Sequence, residues 1–95
     1  MEMLVLVMDL RLRAPWCHSL KDKRSEVRRM VAGLRGTFNV SVCEAEEQDI
    51  HQIIRLSVAA LAFNHAQADS IAQRLADYVQ GNTQAELVEV TRECR

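Results

Sequence analysis

The sequence predicts an α+β domain whose elements run β-α-β-β-α-β. Three observations carry that reading. Residues alternate apolar and polar with a period of two at the start of the chain and again in its middle. Two longer segments, Leu20 to Arg35 and Ala68 to Val79, carry apolar residues at helical spacing instead. Each of those segments opens on a residue suited to cap a helix, Ser19 and Asn64.

The first strand covers Met3 to Arg13. Leu4, Leu6, Met8, Leu10 and Leu12 share one face; Met3, Val5, Val7, Asp9 and Arg11 share the other. The leucine-rich face is the expected core face. Ala14 to His18 form a loop broken by Pro15. At Ser19 the hydroxyl can accept from an early amide, and Asp22 favours the positive end of the helix. Leu20, Val27, Met30, Val31, Leu34 and Phe38 fall at helical spacing, and Gly36 is the expected stop. A second strand is predicted over Phe38 to Glu44. An acidic connection follows over Ala45 to Asp49, and then a third strand over Ile53 to Phe63. The short polar link between these strands predicts an antiparallel pair. Asn64 and Gln67 form the second cap pair. Ala68, Ile71, Ala72, Leu75, Ala76 and Val79 line the second helix, and Gly81-Asn82 ends it. Ala85 to Glu93 alternates weakly as the fourth strand.

This order is the split β-α-β arrangement. Right-handed crossovers put both helices on one face of a four-stranded antiparallel sheet, with the first and third strands side by side in the middle. The other face stays uncovered. A chain of 95 residues is expected to form a single domain over residues 1–95. With 48% apolar and 26% charged residues it has globular rather than disordered composition.

Three strings, Ser19-Leu20-Lys21-Asp22-Lys23-Arg24, Phe38-Asn39-Val40-Ser41-Val42 and Gln48-Asp49, together resemble the YlxP-like family of small bacterial proteins. The spacing to Asn64 and to Ala68-Asp69 is similar as well. The resemblance covers nearly the whole chain and implies a ferredoxin-like α/β sandwich. It implies no activity, because the family is of unknown function; its genes often neighbour those of ribosome maturation and translation initiation. The chain departs from the family at Ala14-Pro15-Trp16-Cys17-His18, where relatives tend to carry a glycine. It departs again at His51, where a bulky apolar residue is common.

The formal net charge is −1, so bulk charge points to no partner. Its distribution is uneven. Eight of the twelve Lys and Arg fall between Arg11 and Arg35, against only Asp22 and Glu26. Acids gather at Glu44, Glu46, Glu47 and Asp49, and again at Glu86, Glu89 and Glu93. Arg11 and Arg13 end the first strand; Lys21, Lys23, Arg24 and Arg28 follow on the first helix, with Arg29 beside them. Lys21, Arg24 and Arg28, at i, i+3 and i+7, lie along one helix flank. Such a stripe can neutralise several phosphates of an RNA or a ribosomal surface. The plainer reading is a solvated helix face whose cations pair with Asp22 or the acidic loop. Base stacking on the sheet is disfavoured, because no aromatic pair stands on the first and third strands.

On the uncovered face, Met3, Val5, Val7, Ala59 and Leu61 form an apolar patch, extended by Leu87. Patches of this kind mark interfaces, so a homodimer or a protein partner is the alternative reading, without nucleic acid. Cys17 and His18 beside a helix start raise a nucleophile in principle. No oxyanion site or orienting partner accompanies them, so no catalytic residue is assigned and no enzyme is expected. His18, His51, His65 and the three cysteines lack paired ligand spacing, so no metal is expected. No phosphate-binding glycine motif is present, and no cofactor or small-molecule substrate is read. Three cysteines without a paired spacing, and no leader-like segment, favour a reduced, cytoplasmic setting. No apolar run is long enough to span a membrane.

Overall fold

The protein is described from a computed structural model, over residues 3–45 and 50–95. Glu2 and the greater part of the acidic connection, including Glu46, Glu47, Gln48 and Asp49, lie outside the described residues. The elements are β1 (Leu4–Arg13), α1 (Leu20–Thr37), β2 (Ser41–Glu44), β3 (Ile53–Ala62), α2 (His65–Asn82) and β4 (Glu86–Cys94). They form one antiparallel sheet in the order β2-β3-β1-β4.

Alternation in β1 sorts its residues as the sequence predicts. Leu6, Met8, Leu10 and Leu12 are buried, and so are Ile54, Leu56 and Val58 of β3. Register pairs them directly: Met8 faces Val58, Leu10 faces Leu56 and Leu12 faces Ile54. Val27, Met30 and Leu34 of α1 and Ala68, Ala72, Leu75 and Val79 of α2 close over that face into one cluster. Each fully buried leucine there contributes on the order of 1.5–3 kcal/mol through removal from water.

Both helices begin where their caps predict. Ser19 Oγ accepts from the Asp22 amide at 3.1 Å, and the Asp22 carboxylate accepts from the His18 amide at 3.1 Å. Asn64 Oδ1 accepts from the Gln67 amide at 2.8 Å, while Gln67 Oε1 accepts from the Phe63 amide. α2 ends at Asn82, as the Gly81-Asn82 pair predicts, whereas α1 ends later than predicted. α1 runs through Gly36 to Thr37, and the Phe38 amide still donates to Leu34 O at 2.9 Å. A helical glycine costs only about 1 kcal/mol, which does not by itself end a helix. Phe38 then leaves α1 as its extended C-cap and packs edge-to-face on Tyr78 of α2, with ring centroids 5.6 Å apart. β2 therefore starts at Ser41 rather than at Phe38.

β4 contains a feature hidden in its weak alternation. Its register against β1 shifts by one between Arg11 and Leu12, which leaves Val88 between the paired residues Leu87 and Glu89. The bulge turns Leu87 to the helix side, opposite Leu12, where it packs against the core. Leu87 is therefore not part of the uncovered sheet face.

Candidate functional site: the outer flank of helix α1

At 3.6 residues per turn, Lys21, Arg24, Arg28 and Arg35 fall within about 60° of arc and span about 21 Å of the helix. All four are exposed. Arg35 donates to Val42 O of β2 at 2.9 Å, so this flank lies on the β2 side of the molecule. The opposite flank faces α2, since Gly33 lies against Tyr78. Arg35 extends the stripe but was not legible as a member of it. Its neighbours one turn back, Val31 and Ala32, are uncharged, and a run read by charge stops at Arg29.

The basic residues divide by whether a carboxylate holds them. Arg13 pairs with Glu86 at 2.6 Å, Arg92 with Asp69 at 2.8 Å and Arg95 with Glu93 at 2.6 Å. Arg29 pairs with Glu26 within α1. Lys21, Arg24 and Arg28 make no ion pair among the described residues, and the one side-chain bond in the group is Arg28 Nε to Arg24 O at 3.3 Å.

Three candidates from the sequence do not belong to this flank. Lys23 is 1% exposed: its ammonium donates to Ile50 O at 2.9 Å and lies 3.2 Å from the Glu44 carboxylate. It sits at i+2 from Lys21, on the buried stripe with Val27 and Met30, and ties α1 to both sides of the β2–β3 connection. A phosphate cannot reach it there. Arg11 and Arg13 alternate with the buried Leu10 and Leu12, so they lie on the uncovered sheet face, away from α1. There Arg11 stands between Arg55 and Glu89 in the register.

That uncovered face is split along the strands. Val5 faces Leu61 and Val7 faces Ala59 at one end. Asp9 faces Ser57 further along, and Ser57 donates to its carboxylate at 2.7 Å. Leu61 is 62% exposed and Met3 42%, and the predicted patch Met3, Val5, Val7, Ala59 and Leu61 lies together on the surface.

Cys17 is fully buried, in the core cluster between Ala14 and α1. Burial pushes its thiol pKa up, and the charges of Asp22 and Glu26 push the same way against the opposing effect of Lys23. Such a thiol stays protonated at neutral pH, which is the opposite of an activated nucleophile. Cys43 and Cys94 are exposed and unpaired. Among the described residues no three His, Cys, Asp or Glu side chains gather as metal ligands, and no helix is long and apolar enough to cross a membrane.

An antiparallel sheet in this strand order, with two helices on one face, defines a ferredoxin-like α+β sandwich. The designed protein Foldit4 shares that fold, with a TM-score of 0.54 at 12% identity over 99% of this chain and 97% of its own. The family model described as "Protein of unknown function (DUF503)" matches residues 5–92, and the chain belongs to that family. It is 31% identical over 61 residues to the "Uncharacterized protein YlxP" of Bacillus subtilis (strain 168). That match covers 64% of this chain and 66% of the relative, just under two thirds of its length.

Proposed function

We propose that this chain is a non-enzymatic accessory protein that binds structured RNA, such as a ribosomal RNA surface, through the outer flank of α1. The observation that supports the reading is that Lys21, Arg24 and Arg28 make no ion pair among the described residues, in a molecule that pairs most of its other cations. Three ammonium and guanidinium groups along about 10 Å of helix form a phosphate-binding row, since each contact releases condensed counterions.

Anisotropy titration of a labelled ribosomal RNA fragment at low and moderate salt tests this. If the three side chains neutralise three phosphates, affinity falls roughly 40-fold between 50 and 200 mM salt. The triple variant Lys21→Ala, Arg24→Ala, Arg28→Ala removes that salt-dependent part and leaves the thermal midpoint nearly unchanged, because exposed charges contribute little to folding. Absence of saturable binding at low salt refutes the reading.

The exposure of Leu61 and Met3 favours a second reading, in which the uncovered sheet face joins two copies of the chain. The two surfaces lie on opposite sides of the sheet, so one does not exclude the other. Val5→Glu then lowers the mass measured by light scattering; an unchanged dimer places the seam elsewhere.

A further inference from the structure

A cleft of about 540 Å³ opens between the β1–α1 loop and the α2–β4 connection. Its rim carries Trp16, 39% exposed, and its walls include Glu26, Arg29, Asn82, Thr83 and Gln84. The floor is rigid. The Glu26 side chain is only 10% exposed, and it accepts from Thr83 Oγ1 at 2.7 Å and from Arg29 Nε at 3.0 Å, with a second contact to the same guanidinium. Burial pushes the Glu26 carboxyl up, but the bonds from Arg29 and Thr83 and the Arg29 charge outweigh it and hold the group ionised. Its negative charge is thus matched inside the protein, while half of the Arg29 side chain remains exposed in the cleft.

We infer that this cleft takes an unpaired nucleobase from the RNA that the α1 flank holds. The inference rests on the RNA reading of that flank and deepens it. An exposed indole and a planar guanidinium are the two side-chain surfaces on which unstacked bases lie. Carboxamides at the rim suit a base edge: Gln84 offers a donor and an acceptor, and Asn82, whose Nδ2 is held by Tyr78 O at 2.9 Å, offers its Oδ1. The cavity is within the size range of small-molecule sites. Arg29 stands about 80–100° around the helix axis from Lys21 and Arg28, on a helix about 10–12 Å across, so an RNA lying over α1 reaches both. This placement supplies the aromatic platform that the sheet face lacks.

The chain has one tryptophan, so its emission reports on this cleft alone. The probes are a labelled ten-nucleotide single-stranded RNA and a duplex of equal length. The single strand is expected to quench Trp16 emission. Trp16→Ala weakens single-strand binding at least about fivefold, Trp16→Phe keeps most of it, and duplex affinity stays unchanged in both variants. A thermal melt of each variant confirms that it is folded. Binding of the duplex with Trp16 emission unchanged, and equal single-strand affinity in Trp16→Ala, overturns the cleft while leaving the flank standing. Quenching by the single strand that persists in the Lys21, Arg24, Arg28 triple variant supports the cleft and removes the flank. No binding of either RNA overturns both.

Discussion

Lys21 and Lys23 stand two residues apart on one helix, and replacing each by methionine should give opposite results. Methionine keeps most of the side-chain volume, so the change isolates the ammonium. At Lys21 the group is exposed and makes no ion pair among the described residues, and Lys21→Met should change stability by no more than about 0.5 kcal/mol. At Lys23 the ammonium is 1% exposed, donates to Ile50 O and faces Glu44. Removing one member of a buried pair costs about 3–5 kcal/mol when the other is left sealed in. The Glu44 side chain is 20% exposed and keeps part of its hydration, which lowers that figure. Loss of the donor to the Ile50 carbonyl adds about 1 kcal/mol, and relief from ammonium desolvation offsets part of the sum. A net loss of about 2–3 kcal/mol follows, from a total on the order of 5–10. At about 4–8 °C per kcal/mol the midpoint should fall by roughly 10–20 °C. Thermal and urea melts followed by circular dichroism measure it. Adding Glu44→Gln to Lys23→Met should recover part of the loss, because the orphaned charge is gone. If Lys23→Met melts within about 3 °C of the parent, the buried tie between α1 and the β2–β3 connection is not a determinant of stability.

Three further outcomes follow from the packing. A thiol reagent at neutral pH should modify Cys43 and Cys94 rapidly and Cys17 only at the rate of unfolding; three fast thiols would show the β1–α1 loop to be open. Gly33→Ala should destabilise the protein despite its better helix propensity, because the new Cβ meets Tyr78 Oη at 2.4 Å. Adding Tyr78→Phe leaves 3.4 Å to the ring and should return at least the lost stability, read as urea midpoints. Glu26 has a carboxyl pKa lowered from 4.5, so its contribution is present above that value and is lost as pH falls through the lower folded value. Glu26→Gln should therefore flatten the acid limb of stability below about pH 4.5, and an acid limb of unchanged slope would remove Glu26 from the account.

The elements that the sequence states most plainly are those with redundant local signals. β1 alternates over ten residues, and both helices open on a side chain that caps them. The end of α2 is legible at Gly81-Asn82, but that of α1 is not, because Gly36 looks like a stop and lacks the tertiary cause. Phe38 meets Tyr78 of the other helix, and nothing in the sequence places those rings together. Leu87 was misplaced because a single bulge at Val88 reverses the parity of β4. In the basic segment, helical spacing places Lys21, Arg24 and Arg28 on one flank of α1. Lys23 was misread because burial of a lysine depends on partners 21 and 27 residues away, Glu44 and the Ile50 carbonyl. The Trp16 cleft was illegible for the same reason. Its walls come from the β1–α1 loop, α1 and the α2–β4 connection, and no short motif spans them.

Clustering of charge in a sequence therefore overstates the charge a partner meets. Eight cations lie between Arg11 and Arg35. Carboxylates drawn from β4, β2 and α1 itself hold Arg13, Lys23 and Arg29, and Arg11 faces the other side of the sheet. What remains is one helix flank. Lys21 and Arg24 at i,i+3, and Arg24 and Arg28 at i,i+4, are like-charge neighbours that cost about 0.2–0.5 kcal/mol each. Those charges repel one another, whereas the ion pair of Glu26 with Arg29 joins α1 to Thr83 and stabilises the tertiary structure. A small like-charged stripe with no ion pair among the described residues, beside several cations that carboxylates hold, is what a surface kept for an external anion should look like. The same contrast sets Trp16 apart: an indole left 39% exposed over a hydrogen-bonded floor forgoes part of the burial that a domain of this size needs.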